Sequence, residues 1–218
     1  EQLQDSVPMT LEQEFGAYAV ALKKHELRIK QNEEWLQQLG IGGNAVGTGI
    51  NTPKTFRKTI IKHLKKATGL QLEVSPNGIE STQFLTDIAA LSADLKLLAV
   101  DLNKIANDLR LLSSGPNTGF NEINLPEVEP GSSIMPGKVN PSICEAVNMV
   151  CMQIFGSDTT ISCACTAGNL DLNTRMPIIA HNIVESLEIL TNALQIFDKK
   201  CIQGITANAE QCQWYVEH

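Results

Sequence analysis

One loop of this 218-residue sequence gathers residue types that can bind and activate an anionic substrate. The segment GSSIMPGKVNP, residues 131–141, contains two adjacent serines, a lysine and an asparagine. Lys138 and Asn140 lie two positions apart, so in an extended loop their side chains would point to the same side and could hold one carboxylate together. Both interactions would strengthen if negative charge accumulated on that carboxylate during a reaction.

The remaining residues of the loop supply hydroxyl groups and restrict the backbone. Ser132 and Ser133 place two hydroxyls near the lysine and the asparagine. Gly131 and Gly137 allow close approach or hinge motion, and three prolines limit the conformations between them, Pro130, Pro136 and Pro141. Residue chemistry alone leaves two interpretations open, an anion-binding site and a rigid polar connector between helices.

Composition and residue spacing argue against several classes of protein. A formal net charge of -7 argues against a nucleic-acid partner, because phosphate binding requires a basic face. No uninterrupted apolar run reaches the roughly 18 residues of a spanning helix, and no charged-then-apolar leader is visible, so we predict a soluble, cytoplasmic protein without a membrane partner. The six cysteines lack the C-x-x-C spacing of zinc or redox sites, which predicts reduced, buried thiols and no metal site. No motif indicates a cofactor.

The elements that must position the loop are predicted to be helices. With 43% hydrophobic and only 5% aromatic residues, the chain favours aliphatic helix packing. Thr10 and Gln13 fit a capping box that starts a first helix, which the apolar spacing extends to Gly40. Thr52-Pro53 starts a second helix that ends at Gly69.

The third predicted helix contains the clearest apolar pattern. It spans residues 81–112, and a seam of aliphatic residues recurs in alternating steps of four and three: Leu91, Leu95, Leu98, Leu102, Ile105, Leu109 and Leu112. Two further helices are predicted over about 142–167 and 177–199, without convincing strands. The fold prediction is therefore all-α, an elongated five-helix bundle. The seam is long enough to suggest oligomerisation through packing against other copies.

The loop resembles the signature of the fumarase/aspartase superfamily, whose members share GSS, Met, Lys and Asn at these spacings. Three other segments resemble the same superfamily in order and spacing: LQDSVPMTLEQEFGAYA from Leu3, GGNAVGTGIN from Gly42 and LLSSGPNTGFNEINLPE from Leu111. The similarity covers essentially all of the chain. It implies that residues 1–218 form the central helical domain of the family, which builds the core of a homotetramer.

The resemblance also implies a chemistry and assigns residues to it. Ser132 matches the family's catalytic serine, the general base that removes a proton from the substrate. Lys138 and Asn140 match residues that stabilise the resulting aci-carboxylate, and Ser133 adds a substrate contact. Supporting roles in the motif fall to Gly131, Met135, Gly137 and Glu145.

Within the superfamily the sequence is most similar to the aspartase branch. Fumarases carry Thr-His just before LQD, with the histidine pairing a glutamate that matches Glu145, whereas this chain has Glu1-Gln2. Gln2 fits the aspartase pattern as a substrate-binding residue. The expected reaction is reversible elimination of ammonia from L-aspartate to give fumarate, with no cofactor; hydration of fumarate to L-malate and an inactive helical oligomerisation module are the alternatives.

The sequence is expected to be a piece of a longer protein. Its first residue is Glu, and it ends at WYVEH within an apolar helical pattern. The Thr-Ser and Ser-Ser-Asn motifs of the family's amino-terminal domain have no counterpart here, and the family assembles its active sites from three subunits. The chain alone is therefore expected to lack a complete site and to be inactive.

Overall fold

The computed structural model describes residues 3–218, and the long elements of this part of the chain are all α-helices. In chain order the elements are α1 (Leu11–Gln31), α2 (Glu33–Leu36), β1 (Gln38–Leu39), α3 (Phe56–Thr68), β2 (Glu73–Val74), α4 (Glu80–Gln83), α5 (Thr86–Leu112), β3 (Ile123–Asn124), α6 (Ser142–Thr166), α7 (Met176–Lys200), a 3₁₀-helix (Ile202–Gly204), β4 (Thr206–Ala207) and α8 (Ala209–Glu217). Each strand has only two residues, so the prediction of an all-α helical bundle is confirmed.

The chain folds into two compact units, each made of several chain segments. Unit 1 contains the described residues up to Lys24, together with Leu98–Gln153 and Glu188–His218. Unit 2 contains His25–Leu97 and Ile154–Leu187. The signature loop, residues 131–141, belongs to unit 1, so the site is described below from the contacts of that unit.

The first helix begins where the capping box predicts it. The backbone N–H of Gln13 donates to Thr10 Oγ1 at 3.2 Å, and the N–H of Thr10 donates to Gln13 Oε1 at 2.9 Å. The helix does not run unbroken to Gly40, because α1 ends at Gln31 and, after Asn32 in helical conformation, α2 ends at Leu36. The side-chain amide of Asn32 donates to Asp94 Oδ2 at 2.7 Å, a bond to a residue 62 positions away that no local pattern reveals.

The predicted third helix is interrupted near its start. It divides into α4 and α5, with Phe84 extended between them at φ −104° and ψ 129°. The carbonyl of Thr82, which a continuous helix would bond to the N–H of Thr86, instead accepts the N–H of Asn173 at 3.0 Å. A tertiary hydrogen bond therefore occupies the acceptor that a continuous helix would need.

The other predicted helices agree with the structure to within a few residues. Gly69, at φ 74°, ends α3 as predicted, and its N–H donates to the carbonyl of Lys65. The start of α3 is wrong by several residues, since the helix begins at Phe56 rather than after Thr52. The predictions for α6 and α7 are confirmed to within one residue.

The apolar seam of α5 is satisfied within the chain. Its five central residues are buried, Leu95, Leu98, Leu102, Ile105 and Leu109. Burying a Leu or Ile side chain stabilises a fold by roughly 1.5–3 kcal/mol, so the seam is a main source of core stability. The hypothesis that this seam requires other copies of the chain is therefore wrong. Along residues 3–218, no helix has the length and apolar character needed to cross a bilayer.

The cysteine prediction is only partly correct. All six thiols are free, and Cys144, Cys151 and Cys201 are buried, as expected for small apolar side chains in packed helices. Cys163 is exposed on α6, so the expectation of uniformly buried thiols is wrong at that position. The reason is helical geometry, because two residues separated by one position, such as Cys163 and Cys165, face different sides of a helix.

Candidate active site

The signature loop is closed at its base by hydrogen bonds between its two ends. The N–H of Gly131 donates to the carbonyl of Lys138 at 2.7 Å, and the side-chain amide of Asn140 donates to the carbonyl of Gly131 at 3.2 Å. A Cβ at position 131 would lie 2.6 Å from the carbonyl oxygen of Lys138, a distance too short for any side chain. Gly131 is therefore required by a close backbone approach.

A tight turn forms the far end of the loop. The N–H of Lys138 donates to the carbonyl of Met135 at 3.3 Å, which encloses Pro136 and Gly137. Gly137 has φ +77°, the value for the third residue of a type II turn, where proline is common at the second position. Met135 and Gly137, predicted as supporting residues of the motif, thus shape the chain between the serines and the lysine.

The hydroxyl oxygen of Ser132 accepts two backbone hydrogen bonds. The N–H groups of Ile134 and Met135 both donate to Ser132 Oγ, each at 3.2 Å. Two convergent N–H donors stabilise an alkoxide more than a neutral hydroxyl, because hydrogen bonds to a charged acceptor are about twice as strong as neutral ones. Ser132 is half-buried, whereas Ser133 is exposed and forms no such contact among the described residues. The geometry therefore distinguishes the two serines.

Lys138 and Asn140 differ in whether their side chains form hydrogen bonds within the loop. Lys138 is exposed, and no hydrogen bond or ion pair of its ammonium group is present in the part of the chain that the structure describes. Asn140 uses one of its two amide hydrogens to hold Gly131, which leaves the second hydrogen for another acceptor. Their joint binding of one carboxylate stays a prediction, and Asn140 also has a structural role that its sequence position did not reveal.

The first turn of α6 anchors the carboxyl end of the loop. The N–H of Glu145 donates to the carbonyl of Pro141 at 3.1 Å, and the Glu145 carboxylate lies 3.4 Å from Nη2 of Arg110. The same guanidinium approaches Asn148 Oδ1 at 3.5 Å. Because both partners of the ion pair remain substantially exposed, its contribution to stability is small. Arg110 was missed by sequence reasoning, since nothing in the apolar pattern of α5 distinguishes it from a solvated residue.

The segment before the loop is held by a small antiparallel pairing. Strand β3 pairs with β4, placing Ile123 opposite Ala207. Asn208 extends the contact, because its N–H donates to the carbonyl of Glu122 and its side-chain amide donates to the carbonyl of Asn121. Burial raises the pKa of Glu122 above its ordinary value. The predicted substrate contact at Gln2 lies outside the described residues.

The helical fold carries a loop in which a half-buried serine, Ser132, and an exposed lysine, Lys138, lie six positions apart. A family model described as "Lyase" matches residues 2–156, and the chain belongs to this lyase family, the fumarase/aspartase superfamily predicted from the signature.

Individual relatives of the chain have more specific names than the family does. Aspartate ammonia-lyase from Escherichia coli strain K12 is 49% identical over 215 residues, which cover 99% of this chain and 45% of that protein. Aspartate ammonia-lyase from Helicobacter pylori strain 26695 is 46% identical over 215 residues, which cover 99% of this chain and 46% of that protein. The chain thus spans less than half the length of these relatives.

Solved structures of the superfamily have the same fold. The fumarate lyase:delta crystallin from Brucella melitensis bound to cobalt matches with a TM-score of 0.95 and 44% identity, covering 100% of this chain and 47% of that chain. The class II fumarase from Schistosoma mansoni matches with a TM-score of 0.94 and 37% identity, covering 99% of this chain and 48% of that chain. The class II fumarase branch considered from the sequence therefore shares this architecture.

Proposed function

We propose that residues 1–218 are the central helical domain of an aspartate ammonia-lyase, which reversibly eliminates ammonia from L-aspartate to give fumarate. The sequence relatives named above support the aspartate branch, at 46–49% identity over nearly the whole chain. The intact signature loop supports a catalytic rather than a purely structural role. Since the chain spans less than half of those relatives, the activity is assigned to a longer parent protein.

We propose Ser132 as the general base, and one observation supports this assignment. Its Oγ accepts two backbone N–H groups at 3.2 Å, an arrangement that favours the alkoxide. As an alkoxide, Ser132 removes the proton from the substrate carbon next to the one that bears the ammonium group. The electron pair left on carbon delocalises into the adjacent carboxylate, and the aci-carboxylate then collapses to form the carbon–carbon double bond as ammonia leaves with the carbon–nitrogen pair.

Lys138 and Asn140 stabilise the negative charge of the intermediate. The Lys138 ammonium supplies charge, and the free amide hydrogen of Asn140 supplies a directional donor. Both interactions gain strength as the carboxylate gains charge, which lowers the barrier rather than simply tightening substrate binding. Ser133 and Gln2 contribute further substrate contacts, as the family motif implies.

The parent is proposed to act as a homotetramer. Three apolar residues of the signature loop, Ile134, Met135 and Val139, are exposed in the isolated chain. Helices α6 and α7 also present apolar side chains to solvent, including Met149 at 65%, Met152 at 60% and Val184 at 61% exposure. Apolar surface of this kind is typical of helices that pack against other copies. A site assembled between subunits would cover the loop.

A second candidate is class II fumarase, because a structure of that class matches with a TM-score of 0.94. Water rather than ammonia would then be eliminated from the substrate. The third candidate is a helical assembly module in which the loop performs no chemistry, and the exposed apolar helix faces favour it.

One assay separates these candidates. The full-length parent is incubated with L-aspartate or with L-malate, and the ultraviolet absorbance of fumarate is followed. We expect fumarate from aspartate and none from malate. The 218-residue chain alone is expected to produce no fumarate from either substrate, because the other parts of the site are absent. Fumarate from malate alone would establish the fumarase, and turnover by the chain itself at the parent's rate would show that the site is misplaced.

A further inference from the structure

Two buried cysteine side chains meet close to the end of the signature loop at Pro141. Cys144 Sγ and Cys201 Sγ lie 3.7 Å apart in unit 1, in hydrogen-bonding contact. Cys144 is 0% exposed and Cys201 is 2% exposed. Both are free thiols. A disulfide has an S–S length of about 2.05 Å, so the two sulfurs need to approach by only about 1.7 Å to form one.

The pair joins the end of the signature loop to the end of another helix. Cys144 is in the first turn of α6, three residues after Pro141, and Cys201 follows the last residue of α7. A small crevice is lined by the loop residues Asn140 and Pro141 together with Cys144 and Cys201. Because both side chains are buried, a small oxidant reaches them when this end of the fold opens locally.

We propose that Cys144 and Cys201 form a redox-sensitive pair, which a small peroxide converts to an intrachain disulfide that fixes the first turn of α6 and the adjoining end of the signature loop. This inference goes beyond the proposed lyase activity, and it stands on a contact within the chain.

The oxidation removes two electrons from the pair of thiols, and hydrogen peroxide accepts them. The thiolate of one cysteine attacks an oxygen of hydrogen peroxide, the O–O bond breaks, and a sulfenic acid and water are formed. The second sulfur then attacks the sulfenic sulfur, the S–S bond forms and a second water leaves. The contact with Cys201 and burial raise the pKa of Cys144. Either sulfur can be the donor of this contact, so either thiol can be the first to react.

The first test is a map of the disulfide in the 218-residue chain. The chain is treated with hydrogen peroxide, free thiols are alkylated, and the protein is cleaved after glutamate without reduction. Cleavage after Glu127, Glu145, Glu188 and Glu210 releases peptides 128–145 and 189–210, each with a single cysteine, Cys144 and Cys201. We expect these two peptides to be joined, with a mass two hydrogens below their sum, and to separate on treatment with dithiothreitol.

Matched variants identify the pair. Cys144→Ala and Cys201→Ala should each abolish the joined peptide, whereas Cys151→Ala, a change at a buried thiol of the same helix, should leave it unchanged. Oxidation of the exposed Cys163 serves as an internal control for the peroxide. The proposal is overturned if Cys163 is oxidised while peptides 128–145 and 189–210 remain separate.

The second test asks whether the bond fixes the loop end. Amide hydrogen exchange is measured on the reduced and oxidised chain over residues 142–148. A cross-link restricts local opening, so we expect exchange of these amides to slow by roughly tenfold on oxidation and to recover after reduction. The Cys201→Ala chain should show no such change. Equal exchange in the two redox states would overturn the claim that the disulfide holds the loop end, whatever activity the parent has.

Discussion

At position 132, a hydroxyl oxygen lies at the convergence of two backbone N–H groups, and the loop sequence explains how. The N–H groups two and three positions after the serine, those of Ile134 and Met135, are directed at Ser132 Oγ, and the turn from Met135 to Lys138 follows them. Such a contact also occurs in ordinary turns, where a serine side chain simply satisfies local N–H groups. Catalysis requires more, because the same donors must stabilise a developing charge.

Replacement of Ser132 distinguishes these roles in the full-length parent. Ser132→Ala removes the proposed proton acceptor and leaves the proposed carboxylate-binding residues in place, so kcat should fall by roughly 100-fold or more with a modest change in KM. Ser133→Ala is the matched control and should retain most of kcat. Steady-state kinetics and circular dichroism are measured for both variants. A folded Ser132→Ala enzyme with nearly full activity would remove Ser132 from the mechanism and leave Ser133 as the next candidate.

Lys138 should behave differently, because in the proposed mechanism it contacts the substrate carboxylate before and during the reaction. Loss of one partner of a buried charge pair costs roughly 2–5 kcal/mol, so Lys138→Ala in the parent should lower kcat/KM by at least about 30-fold and raise KM as well. Lys138→Arg retains the charge and should recover part of the binding. The rigid-connector interpretation predicts instead a lower Tm with unchanged kinetics of the folded fraction.

At the scale of elements, the loop depends on one close backbone approach. Gly131→Ala would place a Cβ 2.6 Å from the Lys138 carbonyl oxygen, so it should destabilise the chain by roughly 1–3 kcal/mol. Gly156 is the matched control, since it lies in α6 with no atom within 4 Å of an added Cβ. Gly156→Ala should stabilise the chain by roughly 0.5–1 kcal/mol. Urea denaturation measures both changes, and equal stability of the two variants would contradict the contact.

Helix ends show how far local patterns determine elements. The capping box at Thr10 and the glycine stop at Gly69 involve residues three or four positions apart, and both agree with the structure. The ends of α1 at Gln31 and of α4 near Phe84 were not predicted. At both places a residue far away in sequence bonds next to the break. The side chain of Asp94 accepts a hydrogen bond from Asn32, and the backbone N–H of Asn173 donates to the carbonyl of Thr82.

At the scale of the whole molecule, apolar surface rather than the α5 seam indicates self-association. We expect the 218-residue chain to form a tetramer at micromolar concentration, because Met149 and Met152 lie three positions apart on an exposed face of α6. Sedimentation equilibrium measures the mass. The double substitution Met149→Lys and Met152→Lys should shift the mass towards that of the monomer.

A control for this experiment lies on the same helix. Gln153 is exposed and polar, so Gln153→Lys adds charge without removing apolar surface and should leave the tetramer intact. A stable monomer of the unchanged chain at micromolar concentration would contradict the assembly prediction.

The sequence by itself determined the helical class, the extent of α6 and α7, and the loop whose serine, lysine and asparagine define the candidate site. These features depend on local spacing, because a helix face and a signature motif are each defined by residues that lie close together in the sequence. Only the tertiary structure decided which chain buries the α5 seam, where α1 and α4 end, and which partners Arg110, Asn140 and Cys144 have. Those outcomes depend on contacts across the fold, which residue spacing along the chain cannot specify.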